Sequence, residues 1–228
     1  MRTISKSKYI IALIIATAVF VIGLLIGILV TEERTKFLEV SAREQKIDFD
    51  SLQLQDLYLN TLTDKCPAIN KALESNLNNL EQTRIKLENY LSQSLIDDDK
   101  EFSLTKREYM LAEMRYWLWA SQTKEICNVD TISLLYFYSN NDCEDCVSQG
   151  LILTYLKDKF KRNLLIFSLD SDFIEEPMLR IIKEDYNITK VPTIIIGNEK
   201  FEGLTKKEEL EKVICSSYNK KPSECNEL

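Results

Sequence analysis

The sequence predicts an α/β domain preceded by a transmembrane helix and an all-α helical spacer, and three observations carry that reading. Residues Tyr9 to Val30 carry no charge and are almost all Ile, Leu, Val, Ala, Phe and Gly. Between Thr31 and about Ile126 there is no glycine, a single proline, Pro67, and apolar residues at helical spacing. From Asp130 onward, short β-branched and aromatic runs alternate with helical segments. These divisions give residues 1–30 as a cytoplasmic N-terminus and anchor, 31–127 as a helical stalk, and 128–228 as the α/β domain with its tail.

Taken in order, a helix over Tyr9 to Val30 would be about 33 Å long, enough to span a bilayer. A cleaved secretory signal is the alternative. The run exceeds the apolar core of a signal, roughly 7 to 15 residues, and Val40, Ser41 and Ala42 lie far beyond it for a cleavage site. Arg2, Lys6 and Lys8 precede the run, while Glu32 and Glu33 meet its other end before Arg34 and Lys36. That asymmetry predicts a single-pass cell-membrane protein with the N-terminus in the cytoplasm and the C-terminal domain outside it. Gly23 and Gly27 form a GxxxG through which two copies could pair, although small residues are also common in spans that do not pair.

The first helix is expected to continue through Phe37, Val40, Ile47, Leu52, Leu59 and Leu62 to a turn at Thr63 to Pro67, where Pro67 suits the first turn of the next helix. Ile69, Leu73, Leu77, Leu80, Leu87 and Leu91 make one apolar stripe on that second helix. The acidic stretch from Asp97 to Glu101 should break the pattern, and Ser103 should cap a third helix with Leu104, Leu111, Met114 and Leu118 on one face. Tyr116, Trp117 and Trp119 read as core aromatics rather than a ligand box. Three antiparallel helices and a longer coiled coil between two chains both fit these stripes.

In the C-terminal half, Thr131 to Tyr138 reads as a buried strand and Ser139 to Asp142 as a loop. A helix follows from Cys143 to Phe160. Leu164 to Leu169 is a second strand, Glu175 to Tyr186 a helix with Pro177 in its first turn, Thr193 to Ile196 a third strand and Glu199 to Glu202 a fourth. Leu204 to Ser216 is the closing helix, and this order makes a mixed sheet with helices on both faces. The tail from Ser217 is polar.

A formal charge of −7 gives no basic footprint for a phosphate backbone, so nucleic acid is not an expected partner. The chain has six cysteines and no histidine. Its chemistry must therefore run on cysteine, carboxylate, lysine or tyrosine. Cys143-Glu144-Asp145-Cys146 places two thiols one turn apart between a strand and a helix. The unpaired N–H groups of the helix start stabilise a thiolate at Cys143, and Cys146 is close enough to close a disulfide. Cys143 is thus the expected attacking thiol and Cys146 the resolving one. Metal is the other use of this spacing, but two thiolates need further ligands, and Cys215 and Cys225 do not make a second CxxC. No metal and no cofactor is expected.

With the CxxC after the first strand and Val191-Pro192-Thr193 before the third, residues 130–216 resemble the thioredoxin-like superfamily. The resemblance implies a cis Pro192 facing the disulfide and a Val191 backbone that pairs with an extended substrate segment. Two positions depart from the family pattern: Asp142 stands where thioredoxins often have tryptophan, and Phe137 where they bury a carboxylate. Glu144 and Asp145 replace a Gly-Pro dipeptide; their charges favour the helix start and oppose a neighbouring thiolate.

All six cysteines follow the apolar run, so this topology puts each of them where disulfides persist. Helices of comparable length running out and back bring Cys66 near Cys127, which predicts a structural disulfide, and Cys215 with Cys225 could tie down the tail. Asn187-Ile188-Thr189 matches a glycosylation acceptor, with a neutral loop as the blander reading. These features point to a membrane-anchored thiol-disulfide oxidoreductase acting on exported proteins and regenerated by a further redox partner. A tethered, non-catalytic binding module is the alternative.

Overall fold

The computed structural model describes residues 6–92 and 99–226, and it divides into two compact units, Met1–Leu62 and Thr63–Leu228. The first is a helix, α1 (Lys6–Thr61), of 56 residues that no proline interrupts. The expected transmembrane helix over Tyr9 to Val30, and with it that part of the expected fold class, is corrected. Among the described residues no helix is long and apolar enough to cross a membrane. The unbroken apolar stretch whose side chains are described runs from Leu13 to Gly27. It rises about 22 Å, short of the roughly 30 Å of a hydrocarbon core. The readings on the side chains of Phe37, Val40 and Leu52, and on the flanking charges from Arg2 to Lys36, lie outside the described residues.

The second unit opens with a helical hairpin, α2 (Cys66–Ser92) and α3 (Asp99–Cys127). Pro67 is in the first turn of α2, where its missing N–H costs nothing, and the Asp64 carboxylate accepts the Cys66 N–H at 3.2 Å. The expected stripe on α2 buries Ile69 while Leu77 and Leu91 stay exposed. Two readings of α3 are corrected. The helix already begins at Asp99, so Ser103 lies inside it rather than capping it; Asp99 and Glu101 complement the positive end of the helix dipole and extend the helix where a break was expected. Its buried face carries Met110, Met114, Tyr116 and Ala120, and Leu104 and Leu118 of the expected face are exposed. The remaining acidic residues of that stretch, Asp97 and Asp98, lie outside the described residues.

The sheet has the order β2-β1-β3-β4, built from β1 (Ile132–Tyr138), β2 (Leu164–Asp170), β3 (Thr193–Ile196) and β4 (Glu199–Glu202). β1 runs parallel to β2, with Tyr136 beside Ser168, and antiparallel to β3, with Tyr136 beside Ile194; β4 returns antiparallel to β3. The parallel pair needs a crossover, which α4 (Glu144–Phe160) provides, and α5 (Pro177–Asp185) and α6 (Lys207–Ser216) complete the set.

Side chains alternate across each strand, so the sheet separates two cores. Leu134, Tyr136 and Ile194 face Leu153 and Leu156 of α4 and Leu210 and Ile214 of α6. Leu135, Phe137, Phe167 and Ile195 face Leu179 and Ile182 of α5 together with Met110 and Met114 of α3. The helix expected to belong to the spacer therefore supplies half the cover of one sheet face. The Tyr116 ring lies 5.8 Å from that of Phe167 and Trp117 6.5 Å from Tyr186, so the α3 aromatics are core. The tail is more than polar: Tyr218 and Cys225 are buried, and the Tyr218 hydroxyl donates to the Asn163 carbonyl at 2.8 Å.

Candidate redox site

β1 delivers the chain to the C-terminal edge of the sheet and α4 starts immediately beyond it. Asp142, at φ +47°, makes the left-handed step, one that Asp tolerates better than most residues. Cys143 is then the N-cap of α4: its Sγ accepts the Cys146 N–H at 3.2 Å, and its carbonyl accepts the same group at 3.1 Å. A sulfur thus occupies the place usually held by a Ser or Asp oxygen. Cys143 and Cys146 are disulfide-bonded, with Cα atoms 5.2 Å apart. Cys146 is 4% exposed and Cys143 half-buried, so an incoming sulfur meets Cys143 first. The Tyr136 hydroxyl donates to the Cys146 carbonyl at 2.6 Å; burial pushes Tyr136 and, beside it, Tyr138 up to about 12, which keeps both as neutral donors.

The loop that presents Cys143 is pinned by a polar network that the sequence reading did not identify. Asp170, at the end of β2, accepts from Asn140 Nδ2 at 2.8 Å and pairs with Lys106 of α3. Asp172 accepts from Asn141 Nδ2 at 3.0 Å and from the Ser139 hydroxyl. The Ser171 N–H donates to the Tyr138 carbonyl at 2.7 Å. Nothing in the spacing of Asp170 or Lys106 advertises this role, because it joins residues 64 positions apart.

A cleft of about 940 Å³ opens over the disulfide. Tyr138, Cys143, Cys146, Val147 and Val191 line it together with Asp142, Glu144 and Asp145. The Val191–Pro192 peptide is cis. Val191 reaches the cleft as the resemblance implies, whereas Pro192 is buried and its carbonyl accepts the Gly203 N–H at 2.8 Å. Phe137 is fully buried on the α3 and α5 side of the sheet. The buried carboxylate nearby comes instead from Glu113 of α3, whose Oε1 accepts the Ser168 N–H at 2.6 Å. Burial pushes Glu113 up to about 8. A glutamate between Met110 and Met114, on the apolar face of a helix, is the signal that could have found it.

The other paired cysteines lie away from the cleft: Cys66 and Cys127 are bonded at the base of the hairpin with Cα atoms 5.3 Å apart. Cys215 and Cys225 are bonded where the tail turns back, 5.7 Å apart. Asn187 is exposed, in a left-handed turn at φ +50° after α5.

No protein-family model matches the chain, and no curated protein matches it. Among solved structures it is similar to the germline thioredoxin Deadhead of Drosophila melanogaster, at 18% identity over 45% of this chain and 92% of that one, TM-score 0.33. It is likewise similar to mitochondrial thioredoxin 3 of Saccharomyces cerevisiae, at 20% identity over 42% and 87%, TM-score 0.32. Thioredoxin-2 of the malaria parasite aligns at 19% identity over 37% and 81%, TM-score 0.32. Likeness that low carries no functional inference. The thioredoxin-like character of the C-terminal half rests on the chain's own strand order and on a CxxC between β1 and α4.

Proposed function

We propose that this chain is a thiol-disulfide oxidoreductase acting through Cys143 and Cys146 on other proteins of a compartment where disulfides persist. The observation that carries the reading is the half-buried Cys143 sulfur at the N-cap of α4, accepting the Cys146 N–H beside an open cleft. That N–H and the helix dipole favour the thiolate form of Cys143 once the pair is reduced. The Cys143 thiolate attacks one sulfur of a client disulfide, forming a mixed disulfide and releasing the other client sulfur as a thiolate. Cys146 then loses its proton to solvent and attacks Cys143 Sγ, which frees the second client thiol and leaves the Cys143–Cys146 disulfide. Run backward, the same steps oxidise a client dithiol, and a further redox partner returns the pair to its starting state. Val191, on the cleft wall, pairs with the extended client segment, while buried Pro192 shapes the wall from behind. No cofactor enters the exchange.

The compartment is inferred from chemistry: all six cysteines are paired, and disulfides in that number accumulate where the surroundings are oxidising. Exported proteins with thiols or disulfides are the corresponding clients. The alternative, a non-catalytic thioredoxin-like adapter, is favoured by Phe137 at the place of the family's buried carboxylate, with no charged group there to take a proton.

Trapping separates the two readings. Cys146→Ser should accumulate reductant-sensitive covalent adducts with client proteins, and Cys143→Ser should lose both adducts and turnover. No adducts from Cys146→Ser, together with no exchange between the wild-type protein and a model disulfide, would leave the adapter reading standing.

A further inference from the structure

The carboxylates around the candidate disulfide differ from those just behind it. Asp170 is met by Lys106 and Asn140, Asp172 by Asn141 and Ser139, and Glu176 by Arg107 at 2.8 Å. Asp142, Glu144 and Asp145 line the cleft itself, are exposed, and take part in no side-chain hydrogen bond or ion pair with any described residue. No lysine or arginine lines the cleft. Lys190, the sequence neighbour of Val191, is exposed, and its charge acts on Glu202 of β4. The start of α4 offers roughly half a positive charge. Three full negative charges outweigh it.

We infer that the cleft selects clients whose reacting cysteine is flanked by lysine or arginine and discriminates against acidic ones, with Asp142, Glu144 and Asp145 as the specificity-determining groups. This rests on the redox reading of Cys143 and Cys146. Exchange requires a client segment to lie along Val191 with its sulfur at Cys143, which brings the residues next to the client cysteine within a few ångströms of the three carboxylates. Charges at that range act mainly on the rate of encounter: complementary patches raise it and like charges lower it. The effect is screened by salt, because the Debye length falls from about 20 Å in dilute buffer to about 5 Å at several tenths molar.

The test uses the reduced full-length protein and two peptides alike except at the residues flanking one cysteine, lysines in one and glutamates in the other. Each cysteine is capped as a mixed disulfide with uncharged 2-mercaptoethanol. Protein dithiol and capped peptide then yield protein disulfide, free peptide thiol and 2-mercaptoethanol, followed by acid quench and mass spectrometry. The lysine peptide should react about tenfold faster in dilute buffer, and added salt should shrink the ratio towards about twofold. The Asp142→Asn, Glu144→Gln, Asp145→Asn triple variant should bring the ratio near one. Because the readout is a ratio, a general change in thiol reactivity in the variant cancels. Equal wild-type rates for the two peptides, a ratio insensitive to salt, or a ratio kept by the triple variant would each overturn the inference while leaving the redox reading intact. Exchange with neither peptide would overturn the redox reading and the inference with it.

Discussion

The disulfide at the start of α4 and the one at the base of the α2–α3 hairpin are the same bond in opposite physical settings. Cys143 and Cys146 are 3 positions apart in sequence, and Cys66 and Cys127 are 61 apart. On the chain-entropy account the first removes about 1.6 kcal/mol of freedom from the unfolded chain and the second about 4.3 kcal/mol. The short loop is already held by the turn into α4, so opening it leaves the surrounding fold almost as stable. The long loop ties the two ends of a hairpin whose second helix covers one face of the sheet, and opening it releases that cover. A cheap bond beside a cleft is suited to exchange, and a costly one beneath a packed helix is suited to permanence.

The strongest challenge to this comparison is to remove the hairpin bond. Cys66→Ser with Cys127→Ser should lower unfolding stability by about 4 kcal/mol, measured by denaturant titration at constant m-value, while the Cys143–Cys146 pair still exchanges with a model disulfide. Loss of exchange in a variant that remains folded would show that the two regions are not independent. A second, somewhat smaller effect comes from Glu113, which reaches from the hairpin to the edge of β2. Its folded-state value of about 8 lies above its ordinary value of 4.5, so the folded chain holds a proton that the unfolded chain releases in between. Stability from this group is therefore greatest below about pH 4.5 and falls as pH rises, until the loss is complete above about pH 8. Glu113→Gln should flatten that decline by on the order of 3 kcal/mol, seen as a Tm at pH 8.5 closer to the Tm at pH 5 than in the parent. An unchanged pH profile would mean that Glu113 is not buried in its acid form.

The smallest expected effect is at the redox end. Asp145 lies in the first turn of α4, exposed and two residues from Cys143, and its charge opposes a thiolate there. Asp145→Asn should raise the alkylation rate of the reduced protein at neutral pH by about two- to threefold, since water weakens a charge at that distance. No change would place the carboxylate too far away to matter.

The contrast between these regions also marks where the sequence was readable. The four strands stand within a residue or so of where their β-branched runs put them, because a strand buried on both faces must be apolar along its length. Cys143 and Cys146 were legible for a similar reason: their proximity is local and follows from one turn of helix. The face that α3 buries was not. Leu104 and Leu118 look like core residues, yet Met110, Met114 and Tyr116 make the contact, because the choice depends on which side of the helix meets Phe167 and Leu179. The apolar run near the N-terminus is a related case: a reading from hydropathy met a helix whose described apolar stretch is shorter than a bilayer core.

By itself the sequence determined the order of strands and helices in the C-terminal half, the hairpin of comparable helices, and the placement of a CxxC between β1 and α4. Each follows from patterns read within about twenty residues, where backbone geometry links spacing to structure. Tertiary structure alone decided that α3 covers the sheet, that Glu113 is the buried carboxylate, and that Asp170 and Lys106 pin the loop before Cys143. Those outcomes join residues far apart in the chain, and burial or exposure exists only once the elements have packed. The same rule divides the acids of this site: Asp170 acts inward because Lys106 arrives to meet it, whereas Asp142, Glu144 and Asp145, which nothing meets, leave their charge facing the cleft.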